Sequence, residues 1–142
     1  AHYDSVLQVA PNHGLVRISR ARTLGAQGRY AAAAADYRWF LDENPSMTDL
    51  RNSLGIALER QGDLPGAIAE YRRALELRPS FRDARFNLAG ALEGAGEPAA
   101  ALREYRALIA ATPGFLPAHA FSPTRQSNPE YHCITRIKSC IQ

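Results

Sequence analysis

The chain has 142 residues, 46% of them hydrophobic, and a formal net charge of +3. This is the length of one domain, and a charge that small gives no footing for nucleic acid; residues 1–120, with 14 Arg, no Lys and 13 acids, are closer still to neutrality. No apolar run is long enough to span a membrane, and no signal peptide is visible at the start.

Taken in order, Ala1 to Ala10 reads as a short amphipathic helix carrying Tyr3, Val6, Leu7 and Val9. From Gly14 the chain repeats itself every 34 residues. Residues 14–47 hold Ala21, Leu24, Gly28, Ala33, Tyr37, Phe40 and Pro45. Residues 48–81 answer with Leu54-Gly55, Leu58, Gly62-Asp63, Ala67, Tyr71, Ala74 and Pro79. Residues 82–115 answer with Leu88-Ala89, Leu92, Gly96-Glu97, Ala101, Tyr105, Leu108 and Pro113. A fixed period of this size marks a repeat array.

Each register has a physical reading. Gly28, Gly62 and Gly96 end one helix, where a left-handed backbone suits glycine. Ala33, Ala67 and Ala101 let two helices approach closely. Tyr37, Tyr71 and Tyr105 lie one turn further on the same face and fill the gap between helix pairs. Pro45, Pro79 and Pro113 stop the second helix. The helices expected are 15–27 and 30–42, then 49–60 and 64–77, then 82–95 and 98–111, with Asp63 as an N-cap before Pro65. Trp39 is either core or a contact to another molecule. Arg38, Arg72 and Arg106 share one register, as a solvated row or as a surface for an acidic partner. In phase with the repeats, residues 1–13 match the end of a second helix whose partner helix is missing, and exposed array ends offer a route to self-association.

A fourth repeat starts at Leu116 and loses the pattern from Phe121. Lys138, Cys133 and Cys140 all lie beyond that point. Two readings stand for 121–142: a weakly packed or disordered tail, which is the expectation, or an amphipathic cap built from Tyr131, Ile134, Ile137 and Ile141. Chemistry is sparse. His132, Cys133 and Cys140 lack zinc-site spacing, and cysteines seven apart on a helix sit about 10 Å from each other, too far for a disulfide. His2, His13 and His119 have no constellation beside them, and no phosphate loop is present. No cofactor, metal or catalytic residue is expected.

The pattern Leu-Gly-x-x-Leu, Gly-Asp, Ala, Tyr, Ala, Pro resembles the tetratricopeptide repeat (TPR). Residues 48–81 carry nearly the full signature and the two neighbouring repeats most of it. The chain departs from the family at Arg17, Arg51 and Arg85, where a large apolar residue is expected, and at Arg20, where a leucine is. The resemblance implies an all-α solenoid of antiparallel helix pairs: a partial repeat at 1–13, three full motifs at 14–47, 48–81 and 82–115, and an atypical 116–142. It implies protein–protein interaction, with a peptide or helix of a partner held in a concave groove.

First-helix positions that face such a groove map to Ile18, Ser19 and Arg22, to Asp49, Asn52, Ser53, Ile56 and Arg60, and to Asp83, Phe86, Asn87 and Glu93. The partner-binding set expected is Arg22, Asn52, Ser53, Ile56, Asp83, Phe86 and Asn87. Family members that clamp a peptide's terminal carboxylate need a cation where Asp83 stands, so a carboxylate clamp is not expected. The alternative is a substrate-recruiting or regulatory segment of a larger bacterial enzyme, such as a glycosyltransferase or sulfotransferase. Single-stranded RNA binding by helical repeats wants a different period and a more basic surface.

Overall fold

The computed structural model describes residues 2–9, 13–111 and 134–139. Among these the chain is helical without a strand: α1 (His2–Val9), α2 (Gly14–Ala26), α3 (Tyr30–Glu43), α4 (Thr48–Arg60), α5 (Leu64–Leu77), α6 (Arg82–Gly94), α7 (Pro98–Ala110) and a helical turn at 134–139. The helix pairs expected from the 34-residue period all form, within a residue or so at each end. The expectations that fall on 112–133 and 140–142, including Leu116, His119, Phe121, Tyr131, His132, Cys133, Cys140 and Ile141, lie outside the described residues.

The turns inside the repeats are one motif used three times. Gly28, Gly62 and Gly96 have φ of 77, 88 and 80°. Each glycine N–H bonds back to the third residue before it, and the next N–H reaches further back: Arg29 to Leu24 at 2.8 Å, Asp63 to Leu58 at 2.9 Å, Glu97 to Leu92 at 2.9 Å. This double bond pattern is the Schellman motif, and it satisfies carbonyls that the helix end leaves open. The short link then turns the chain back on itself, so α2 packs on α3, α4 on α5 and α6 on α7. Asp63 caps α5 as expected, accepting from the Gly66 N–H at 3.0 Å ahead of Pro65.

The chain divides into two compact units, 1–79 and 80–142. In the first, α1 packs on α2 and α3 on α4 besides the pairs within repeats. Its core holds Ala21, Leu24, Ala33, Tyr37, Leu54, Leu58, Ala67, Tyr71 and Ala74, all buried. The alanines do what close approach requires: Ala33 and Ala67 are wholly shielded. Tyr71 also packs within its own helix pair, where its ring lies on the bare backbone of Gly55 and its hydroxyl donates to Glu59 at 2.9 Å.

The three arginines that break the family pattern follow a rule of their own. Arg17 pairs with Asp36 at 3.3 Å, Arg51 with Glu70 at 3.0 Å and Arg85 with Glu104 at 2.7 Å, each 19 residues on. First and second helix of every repeat are thus tied by one ion pair at the same register. The aliphatic stem of arginine covers apolar surface while its fork meets the carboxylate, so it replaces a large apolar residue without leaving a void. Arg20 adds to the first pair: its Nε and Nη2 grip Asp36 at 2.7 and 2.6 Å, and its Nη1 reaches Asp4 of α1 at 3.0 Å. Trp39 is half-buried, with the Arg17 guanidinium 4.5 Å above its ring.

In the second unit the core holds Ala84, Leu88, Leu92, Ala101, Leu102, Tyr105 and Leu108. Ile134 and Ile137 are buried, each with 0% exposure, and Lys138 pairs with Glu93 of α6. Of the segment 121–142, the described part is this helical stretch at 134–139.

Candidate functional site

In the first unit α4 presents Ser53, Ile56 and Arg60, spaced three and four apart and so stacked on one face. That face borders a cleft of about 330 Å³, closed by Gly25 of α2 and by Tyr30, Ala33 and Tyr37 of α3. Ile56 is 39% exposed, a large apolar side chain held out where its neighbours Ala57 and Leu58 are buried. Ser53 donates to the Asp49 carbonyl at 3.1 Å, which ties its hydroxyl to its own helix. The Tyr37 hydroxyl lies beside Ser53 and within the field of Arg22; burial raises its pKa, against the pull of both. The cleft therefore combines an aliphatic anchor, two tyrosines, a hydroxyl and a guanidinium.

Of the seven residues expected from the sequence, Ser53 and Ile56 share this cleft. Arg22 is exposed on α2 and meets it through Tyr37, and Asn52 is half-buried on α4. The other three belong to the second unit. Asp83 is exposed at the start of α6; Asn87 is half-buried. Phe86 is half-buried and meets the Tyr105 ring edge-on, with centroids 5.8 Å apart and planes at 67°. Ile18, also mapped to the groove, is 8% exposed and belongs to the core. Tyr30 is the residue that sequence reasoning passed over. It opens α3 at a register where the later repeats carry Leu64 and Pro98, and that change of type was the available signal. Arg38, Arg72 and Arg106 are exposed.

Among the described residues no three of His, Cys, Asp and Glu come together as a metal site, and no helix is long and apolar enough to cross a membrane.

The tyrosines give the fold a pH dependence. Burial, then the Glu59 carboxylate, push the Tyr71 hydroxyl well above its ordinary range, and burial pushes Tyr37 in the same direction. The unfolded chain releases these protons near pH 10, about the value for free tyrosine, while the folded chain keeps them. Stability is therefore whole below about pH 10 and falls as pH rises past it. Urea titrations between neutral and strongly alkaline pH check this. Tyr71→Phe is expected to flatten the alkaline fall, whatever it costs at neutral pH.

Two tetratricopeptide repeat family models match the chain, over residues 18–80 and 58–121. No curated protein matches it. Among solved structures, the crystal structure of MamA is similar at a TM-score of 0.76 and 20% identity, covering 98% of this chain and 82% of that one. The first TPR of Spaghetti (RPAP3), bound to the HSP90 peptide SRMEEVD, gives 0.68 at 17% identity over 90% and 92%. MamA from Desulfovibrio magneticus RS-1, from residue 41 to its end, gives 0.72 at 19% identity; the match covers 75% of this chain and 60% of that one. At these identities the structures speak for the fold, and the family models for descent: the chain belongs to the tetratricopeptide repeat family.

Proposed function

We propose that this chain is a protein-interaction scaffold that holds an extended peptide or an amphipathic helix of a partner protein, with first-helix residues of each unit as its contacts. The observation that carries this reading is the α4 cleft, where an exposed Ile56 stands between the hydroxyls of Ser53 and Tyr37 and the Arg60 guanidinium. Lone exposed apolar residues are ordinary; one set into a concave wall with polar groups around it is what anchor-type recognition uses. The similar domain of Spaghetti is bound to a peptide, which gives the same class of partner a precedent in this fold.

Arg22, Asn52, Ser53 and Ile56 are the contacts proposed in the first unit, and Asp83, Phe86 and Asn87 in the second. Asp83 is exposed where a carboxylate clamp needs a cation, so a peptide's terminal carboxylate is not the feature recognised. Arg22 and Arg60 favour acidic residues beside the apolar anchor instead.

A displayed peptide library selected on the intact chain tests this. Selected peptides are expected to carry an aliphatic or aromatic anchor near an acid, and to lose about ten-fold or more in affinity on Ile56→Asp. Asn52→Ala with Asn87→Ala is expected to weaken them further. Undiminished binding by Ile56→Asp would place the contact elsewhere.

A further inference from the structure

The three repeats differ at one register that bears on the α4 cleft. Positions 25, 59 and 93 stand 34 residues apart near the end of each first helix, and read Gly25, Glu59 and Glu93. In the second repeat Glu59 accepts from the Tyr71 hydroxyl at 2.9 Å. In the third, Glu93 pairs with Lys138, whose ammonium lies 5.8 Å from the centre of the Tyr105 ring. The first repeat keeps the tyrosine, as Tyr37, and drops the carboxylate. Gly25 and Tyr37 line the same cleft. The backbone does not demand this glycine: it lies within α2, outside the left-handed region that Gly28 occupies. Glycine inside a helix is an entropic cost. A Cβ built on it would meet nothing within 4 Å. Glycine therefore leaves room at the register where the second repeat places a glutamate side chain.

The groups around that room are donors. Tyr37 meets Ser53 and the field of Arg22, and burial raises its pKa and so keeps its hydroxyl protonated. Arg22 and Arg60 are exposed and form no ion pair among the described residues. The Asp36 carboxylate, which Tyr37 also feels, is already held by Arg17 and Arg20. We infer that the first repeat takes from its partner the carboxylate that the second repeat carries itself: an acidic side chain of the bound segment enters beside Gly25, accepts from the Tyr37 hydroxyl and is neutralised by Arg22 and Arg60. Hydrogen bonds to an ionised acceptor are stronger than neutral ones, so this contact selects an acid over its amide. The inference rests on the α4 cleft as the partner's seat and adds what the seat selects, with Gly25 and Tyr37 as the residues that set it.

The test uses the full chain and two blocked probes, N-acetyl-glutamate methylamide and its glutamine analogue. They differ in the carboxylate alone and carry no free terminus. Followed by amide resonances, the glutamate probe is expected to shift Gly25, Ser53 and Arg60, and to bind at least about ten-fold tighter than the glutamine probe. Gly25→Ala, whose methyl meets nothing, is expected to keep this response. Gly25→Glu is expected to lose about ten-fold or more, because its own carboxylate then takes the Tyr37 hydroxyl as Glu59 takes that of Tyr71. Tyr37→Phe, which removes the donor and keeps the ring, is expected to weaken the glutamate probe and leave the glutamine probe unchanged. Equal response to the two probes, or an undiminished response in Gly25→Glu, would overturn the inference. Should Gly25→Glu fail to fold, Tyr37→Phe decides alone, and an unchanged response there would overturn it as well. Peptides selected on the wild-type chain separate this inference from the reading it rests on. Loss of binding on Ile56→Asp with full binding by Gly25→Glu would leave the cleft as the contact and remove the carboxylate from it.

Discussion

Truncating Tyr71 to alanine is expected to lower the unfolding free energy by about 3–5 kcal/mol, as for a large aromatic removed from a close-packed core. Tyr71 is wholly buried, and nothing next to it is free to fill the space: Ala67 and Ala74 on its own helix are small and fully shielded themselves. The sharper test is its partner. A methyl group built on Gly55 would lie 2.8 Å from Cδ1 of Tyr71 and closer still to Cε1. Alanine for glycine inside a helix ordinarily gains about 1 kcal/mol. Here the ring would have to move within a packed core, where overpacking costs about 1–3 kcal/mol. The clash outweighs the propensity, so Gly55→Ala is expected to destabilise. In the Tyr71→Ala background the clash is gone, and the same substitution is expected to stabilise. Denaturant unfolding of the four chains reads this change of sign directly, since contacting residues are where additivity fails.

Asp36→Ala is expected to cost about 2–4 kcal/mol, the second large effect. Asp36 is 2% exposed and accepts from both Arg17 and Arg20, so its loss leaves two guanidinium groups facing a shielded gap. Arg20 keeps 25% exposure and a second partner in Asp4, which holds the cost below that of a fully stranded charge. The equivalent changes should fall off with solvent access. Glu70→Ala, where both partners are 13% exposed, is expected to cost about 1–2 kcal/mol. Glu104→Ala, where both are 25% exposed, is expected to cost under about 1 kcal/mol. Thermal melts followed by circular dichroism check the order. Equal costs at the three positions would mean that the ion pairs act through something other than burial.

These residues also mark where the sequence could be read and where it could not. Helix ends were legible because Gly28, Gly62 and Gly96 need a backbone that other residues rarely adopt, and that need recurs every 34 positions. Packing of Ala33, Ala67 and Tyr71 was legible for the same reason. Arg17, Arg51 and Arg85 looked like departures when each was compared with the apolar residue expected there. Their partners Asp36, Glu70 and Glu104 repeat at the same period, so the pairing was present in the sequence but became readable only once the two helices were laid side by side. Ile18 and Ile56 illustrate the limit of mapping by position. Both are isoleucines on first helices, yet one is core and the other 39% exposed, because burial depends on which helices lie alongside. The pairing of Lys138 with Glu93 had no period to reveal it, since the two lie more than a repeat apart.

Site-specific photocrosslinking is the most direct check that this scaffold recognises partners through the α4 cleft. A benzophenone amino acid at position 56, in the cleft, is compared with one at position 72, on the exposed arginine register. Chains with either label are irradiated with a peptide selected on the wild-type protein. Adducts at position 56 and none at position 72 are expected. Adducts at position 72 with none at position 56 would contradict the cleft as the binding site and move recognition to the arginine row.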